Sequence, residues 1–423
     1  MKKGVSFIMS IILGAACLGG LTACGDKGNG NNKPNSEEKP DYTAYEKYDV
    51  TELDVQKFVT PIWDGIVSYG EAAFVMEDEN KVVQPISLLY PVKNVVSVRS
   101  ADLQTKYVEG QDYEITADGK LKILEGGSIP YLKYENYYFE EYDKSNSLSL
   151  PANAPKGAYL VTETTTTSKG MSEWCLSVTY THEKADVVTK PQAKTNVFSG
   201  FMSKLSAKQA AKVVYFGDSI TDGWGSTAFK YVNRNPHCPM YADLAMDRLE
   251  QIYGTTITRE NYSVSGNTSL QSYNDETLMN NVTSANGDLY VVAFGMNDGG
   301  GRTPKEFSDT IKRIVNAITK ANPNAEVAVV LSMIPNEKMG FSQNSSLRRY
   351  QDEYPEELAK CETTWKNSGK KVAVVNVTDV HKQMLTVKKF QDTTSSNSNH
   401  PNDYMHRVYA QVLLETMLGD AAF

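Results

Sequence analysis

Four apolar runs rich in β-branched residues recur through the second half of the chain: VVYF (213–216), LYVVAF (289–294), EVAVVLSMI (326–334) and VAVVNV (372–377). A strand that is apolar at every position must be covered on both faces. Between these runs lie amphipathic segments such as YADLAMDRLEQIY (241–253) and EFSDTIKRIVNAITKA (306–321), which supply that cover. The alternation predicts a parallel sheet with helices on both sides. No repeat of fixed period interrupts it.

In a sheet of this kind the carboxyl ends of the strands share one edge, where ligands bind. Four short polar segments fall at such positions: GDSIT (217–221), VSGNTS (264–269) after a strand expected near Asn261 and Tyr262, GMND (295–298), and HPND (400–403) before the last helix. Residues far apart in sequence are therefore expected to converge.

The first half is patterned differently. In YEITADGKLKIL the pairs Tyr113/Ile115 and Leu121/Ile123 flank an Asp118-Gly119 turn, a hairpin signature. In WCLSVTYT, Trp174, Leu176, Val178 and Tyr180 fall on one face of a strand. This predicts an all-β sandwich, jelly-roll-like, whose domain and linker span 42–195, followed by the α/β domain at 196–423.

The N-terminus reads as an export signal. Two lysines precede an apolar stretch from Val5 to about Leu18, and small residues lead to Leu21-Thr22-Ala23-Cys24. This order is similar to the lipobox of bacterial lipoproteins, with residues 1–23 as the signal peptide and Cys24 as the lipidated new terminus. A plain secreted protein cleaved near Ala23 is the alternative. Residues 24–41 lack large apolar side chains and are expected to be a flexible tether. A lipid-anchored protein at the bacterial cell surface or in the periplasm follows, held to the membrane without spanning it.

Composition excludes other classes. A net charge of −8 with 22% charged residues and no basic cluster argues against a nucleic-acid partner. If Cys17 leaves with the signal and Cys24 is acylated, Cys175, Cys238 and Cys361 remain. An odd number at wide spacing gives neither a disulfide framework nor a metal cluster, and buried free thiols are expected. No metal and no cofactor is expected.

The four segments, in order over roughly 210–423, resemble the blocks of the SGNH, or GDSL, hydrolase family. The resemblance implies a flavodoxin-like three-layer α/β/α fold and ester hydrolysis through an acyl-enzyme. Position by position, it makes Ser219 the nucleophile, and makes the Ser219 N–H, the Gly266 N–H and the Asn297 side-chain amide the oxyanion hole. The chemistry suits the residue types. A serine hydroxyl needs a base within reach, Gly266 brings an N–H close without a Cβ, and Asn297 aims a neutral donor at developing charge. Asp218 reads as a loop-fixing acceptor rather than the acid of a triad. Taken singly, each block also reads as a helix cap or a turn.

Five histidines compete for the role of base. His182 and His381 read as surface residues, and His237 as a neighbour of the site at most. His400 precedes the last helix, in the loop the family uses for its base. His406 shares a helix face with Ala410, Leu413 and Met417 and reads as a core residue, with Asp403–His406 as the alternative acid–base pair. The family carries an acid three residues before its base, and here that position is Asn397. A Ser–His dyad oriented by a neutral acceptor is therefore expected, with Asp403 acting as a helix cap and the β-domain contributing no catalytic residue.

Together these features predict a carboxylic ester hydrolase that removes O-acetyl groups from polysaccharide, by analogy with two-domain acetylesterases. Trp224 and the tyrosine-rich stretch YLKYENYYFEEY (131–142) are candidates for sugar stacking, with ordinary packing as the competing reading. Two other classes stay open: a lipase, phospholipase or acetyl-transferring enzyme of the same family, and a non-catalytic glycan-binding lipoprotein.

Overall fold

A computed structural model describes residues 43–140, 147–149, 157–338 and 347–423. The expected signal peptide, the lipidation site Cys24, the tether, and residues 141–142 of the tyrosine-rich stretch lie outside the described residues.

The strands run β1 (Val67–Phe74), β2 (Asn94–Ser100), β3 (Lys106–Tyr107), β4 (Tyr113–Ile115), β5 (Leu121–Ile123), β6 (Tyr138–Phe139), β7 (Ser147–Ser149), β8 (Ala158–Leu160), β9 (Cys175–Thr181), β10 (Ala211–Gly217), β11 (Ile257–Asn261), β12 (Leu289–Phe294), β13 (Glu326–Leu331) and β14 (Val372–Asn376). The first nine build a β-rich region. Its main sheet is antiparallel in the order β1-β9-β2-β3, beside the β4-β5 hairpin and a small β6-β8-β7 sheet. The hairpin pairs Tyr113 with Ile123 and Ile115 with Leu121, on either side of the Asp118-Gly119 turn.

The last five strands form one parallel sheet in the order β11-β10-β12-β13-β14. This is the doubly wound flavodoxin-like order, and its chain reversal lies between β10 and its neighbours. Alternate residues feed two cores. Val213, Tyr215, Val291, Ala328 and Val375 pack on one side with the helices Tyr241–Tyr253 and Asp403–Leu418. Val214, Phe216, Val292, Phe294 and Val329 pack on the other with Pro304–Ala321 and Tyr354–Asn367. The Pro304–Ala321 helix starts on a Thr303/Glu306 capping box with proline in its first turn, which fixes its entry beside β12.

The first of these cores does not stop at the sheet. It continues into the β-rich region through Phe58, Phe74, Val98, Leu132 and Tyr180, and the described residues up to Phe423 belong to one compact unit. The last helix shows why. His406, Ala410, Leu413 and Met417 are buried as the sequence predicts, but so are Tyr404, Val408, Val412 and Glu415. A helix buried all round needs cover on its far side, and here that cover comes from the β-rich region. Arg407 donates to the carbonyls of Phe58, Gly70 and Tyr69, and Gln411 to that of Phe58.

A second seam is ionic. Lys388 is fully buried with its Nζ 2.5 Å from Glu71 Oε1 on β1 and 3.7 Å from Asp392 Oδ2. Glu71 also accepts from Tyr180 Oη at 2.7 Å and from the Leu89 N–H at 2.7 Å. Asp392 accepts the Phe74 N–H at 2.7 Å. Each buried charge thus has several partners, the condition under which burial is tolerated. The segment leading to His400 is thereby fastened to β1.

Candidate active site

β10 ends at Gly217, and Asp218 caps the short helical turn Ser219–Asp222 by accepting the Ile220 N–H at 3.0 Å. The cap sets Ser219 at the sheet edge, and burial pushes the Asp218 carboxyl up to about 7. Asp218 is thus the loop-fixing acceptor that its sequence position suggests. Ser219 Oγ lies 3.0 Å from His400 Nε2, which makes His400, not His406, the imidazole within reach.

The other ring nitrogen departs from expectation. His400 Nδ1 lies 2.6 Å from Glu163 Oε1, where a neutral acceptor was expected. A carboxylate accepts only, so Nδ1 carries the proton and Nε2 is left as the acceptor for the serine hydroxyl. Glu163 stands just after β8, in the β-rich region that was expected to contribute nothing catalytic. Its side chain keeps 27% of its accessible surface and that of His400 keeps 15%, so the pair is partly shielded from solvent.

Asn397, in the family's acid position, does not touch the imidazole. It is fully buried in the left-handed region at φ 62°, which asparagine tolerates. Its Nδ2 donates to Leu160 O at 2.8 Å, and its Oδ1 accepts from Asn336 and Gln391. Asp403 is not the cap of the last helix. Asn402 holds that place by accepting the Met405 N–H, and Asp403 is the first helical residue. The Asp403 carboxyl, pushed up to about 7 by burial, accepts the Thr227 N–H and Oγ1–H, both at 2.8 Å, and so ties down the loop after the nucleophile.

His406 is a core residue. Its Nδ1 accepts the Tyr241 N–H at 3.3 Å, and its Nε2 donates to Trp224 O at 3.0 Å. Burial lowers its pKa to about 4. His182 and His381 depart from the surface reading. His182 is buried and stacked on Tyr90. His381 is fully buried, takes the Ile334 N–H at 3.0 Å and contacts Thr393 Oγ1 at 2.9 Å. His237 is exposed, on the loop between the nucleophile and the next helix.

The remaining predicted residues sit on neighbouring loops. The Val264 N–H bonds to Gly217 O at 3.0 Å, which pins the loop bearing Gly266 beside the nucleophile turn. Gly266 has φ 82°, and a Cβ there would meet nothing within 4 Å. The left-handed backbone at this position itself favours glycine. Asn297 Nδ2 donates to Asn267 O at 3.0 Å, leaving its second amide hydrogen for another acceptor. The loops are locked by Asp298, which accepts the Ser269 N–H at 3.0 Å and Ser269 Oγ at 2.6 Å and whose pKa burial raises.

Trp224 lies against His400, with ring centroids 5.5 Å apart and planes within 21°. Tyr231, 56% exposed, is 6.2 Å beyond it. Among the described residues no group of three or more His, Cys, Asp or Glu side chains is placed to hold a metal ion. Cys175, Cys238 and Cys361 are buried free thiols, and no helix there is long and apolar enough to cross a membrane.

A nucleophile, an imidazole and a carboxylate in series, beside N–H donors at a sheet edge, define a serine hydrolase site. Residues 215–408 match the GDSL-like lipase/acylhydrolase family. A comparison with curated proteins gave no match. Among solved structures, the chain is similar to a two-domain esterase active on acetylated mannans, co-crystallised with mannopentaose. The identity is 16% and the TM-score 0.41, over 54% of this chain and 55% of that one. A Clostridium thermocellum family 3 carbohydrate esterase matches at 16% identity and a TM-score of 0.37, over 50% and 98%. A catalytic mutant of an acetylxylan esterase from Geobacillus stearothermophilus matches at 15% and 0.39, over 55% and 98%. The chain thus spans about 55% of the length of the first of these.

Proposed function

We propose that this protein is a serine esterase that removes O-acetyl groups from polysaccharide through an acyl-enzyme at Ser219. The observation that carries the reading is the series Ser219–His400–Glu163, at 3.0 and 2.6 Å.

Ser219 Oγ attacks the acyl carbon as its proton passes to His400 Nε2, and Glu163 stabilises the imidazolium. The N–H groups of Ser219 and Gly266 and the free hydrogen of Asn297 Nδ2 receive the oxyanion. Collapse breaks the ester C–O bond, and His400 returns the proton to the departing sugar oxygen. Water then attacks the acyl-enzyme with His400 again as base, and acetate and free Ser219 result.

A carbohydrate leaving group is supported by the ring of Trp224 beside His400 and that of Tyr231 next to Trp224, since aromatic faces suit the apolar face of a pyranose. We also propose that acylated Cys24 anchors the enzyme to the bacterial membrane on its outer side. Loss of the protein from the membrane fraction in Cys24→Ser checks this, and unchanged membrane association would overturn it.

The test of the activity is acetate release from acetylated xylan, mannan and peptidoglycan, alongside hydrolysis of acetyl, butyryl and octanoyl 4-nitrophenyl esters. Acetyl preference with sugar deacetylation, both lost in Ser219→Ala, is the expected result. Octanoyl preference would point to a lipase, and turnover surviving in Ser219→Ala would remove the assignment.

A further inference from the structure

The acid of the relay comes from a different region than the base, so something must hold it in register. Glu163 lies on an arm with a fastening on either side. Three residues before it, Leu160 O accepts Asn397 Nδ2 at 2.8 Å. Three residues after it, both backbone groups of Thr166 are taken by the loop that follows the nucleophile. Its N–H bonds to Tyr231 O at 3.1 Å, and its O accepts Arg234 Nη2 at 2.9 Å.

The return of the arm is closed by Gly170, at φ 54°, where a Cβ would lie 2.6 Å from Glu163 C. A cavity of about 520 Å³ borders the arm, lined by Thr164, Lys169 and Met171 on one side and Gly225, Thr227 and Arg234 on another. Close packing is what usually fixes a side chain in place. On the side facing this cavity the arm has fewer packing partners, so its hydrogen bonds share in setting its position.

On the basis of the hydrolase reading above, we infer that Asn397 and Arg234 are positioning residues that bracket Glu163 and hold its carboxylate on His400. The asparagine in the family's acid position then has a definite task. It no longer orients the imidazole itself, but grips the strand that delivers the substitute acid. An aspartate there has no hydrogen to give Leu160 O and would set a buried carboxylate against that carbonyl. Asn397→Asp, the change that restores the family pattern, is therefore expected to lower activity.

The full-length chain tests this with 4-nitrophenyl acetate. Arg234→Met is expected to lower kcat about 10-fold with KM nearly constant, since small displacements of a catalytic group cost up to about 100-fold, and Arg234→Lys is expected to recover much of the loss. In a Glu163→Gln background Arg234→Met should change kcat by less than about 2-fold, because the two act through one relay. Asn397→Asp should lower kcat about 100-fold. Its buried site puts folding at risk, and Arg234, which is only partly buried, keeps the inference testable.

An unchanged kcat in Arg234→Met, or an equal loss in both backgrounds, overturns the bracket while the esterase assignment stands. Full turnover in Glu163→Gln would likewise overturn the bracket alone, whereas full turnover in Ser219→Ala would overturn the hydrolase reading, and the bracket with it.

Discussion

Glu163 Oε1 and His400 Nδ1 are 2.6 Å apart in space and 237 residues apart in sequence. The contact crosses from the β-rich region to the parallel-sheet region, so the relay exists only when both are folded together. In the proposed mechanism the N-terminal region is therefore part of the chemistry and not merely a means of directing substrate.

Replacement of the acid should therefore act on turnover. Glu163→Gln keeps the size of the side chain but offers Nδ1–H a neutral partner and permits the wrong tautomer. Loss of the acid in a triad costs up to about 10⁴-fold in kcat, and a fall of at least about 100-fold is expected here, with little change in KM. Steady-state kinetics on 4-nitrophenyl acetate checks it, and activity close to wild type would show that His400 works without the carboxylate.

Asn297 contributes at a different stage. If its second amide hydrogen meets the oxyanion as proposed, it does so only as charge develops, so Asn297→Ala should lower kcat by about 100- to 1000-fold and leave KM nearly unchanged. A change confined to KM would place Asn297 in ground-state binding instead.

How much of this the sequence displays depends on the range of each signal. The strand runs at 213–216 and 289–294 lie within β10 and β12, because strands buried on both faces need continuous apolar residues. Ser219 and His400 were marked by the resemblance of GDSIT and HPND to the family's blocks, and the fold brings the two side chains within 3.0 Å of each other. Glu163 was not so marked. It stands in VTETTTTSKG, a polar stretch with no periodicity, and its partner lies in another region. The one sequence signal was negative, the missing carboxylate at Asn397, which shows that an acceptor must come from elsewhere without naming it. Likewise His182 and His381 look polar and exposed in isolation. The Tyr90 ring that stacks on one and the Ile334 N–H that bonds to the other are tertiary facts.

The shared core gives a third prediction. Residues 196–423 alone would expose the far face of the last helix, leave Arg407 and Lys388 without their partners in the β-rich region, and lack Glu163. The truncated chain is expected to be insoluble or inactive toward small esters. In the intact protein, Glu71→Ala should cost about 3–5 kcal/mol in urea unfolding, because Lys388 would be left buried with the more distant Asp392 as its counter-charge. A soluble, fully active 196–423 fragment would show that the β-rich region is dispensable.

The pH dependence of stability can be traced to a buried imidazole. His406 has its pKa lowered from 6.5 to about 4 by burial, so between these values the unfolded chain binds a proton that the folded chain refuses. Stability from this group is complete above about pH 6.5 and is lost as pH falls toward 4. His381, lowered to about 3 by burial, acts in the same direction. The carboxyls of Asp218 and Asp403, raised to about 7, act oppositely, since they hold protons in the folded state and lose stability as pH rises through 7. The net slope mixes these effects, and a single variant separates one of them. Gln at 406 keeps a donor and an acceptor but does not titrate. The stability advantage of wild type over His406→Gln should shrink by about 2 kcal/mol between pH 7.5 and pH 5, measured by urea unfolding at each pH. An advantage that stays constant over that interval would mean that His406 accepts its proton in the folded state as readily as in the unfolded one.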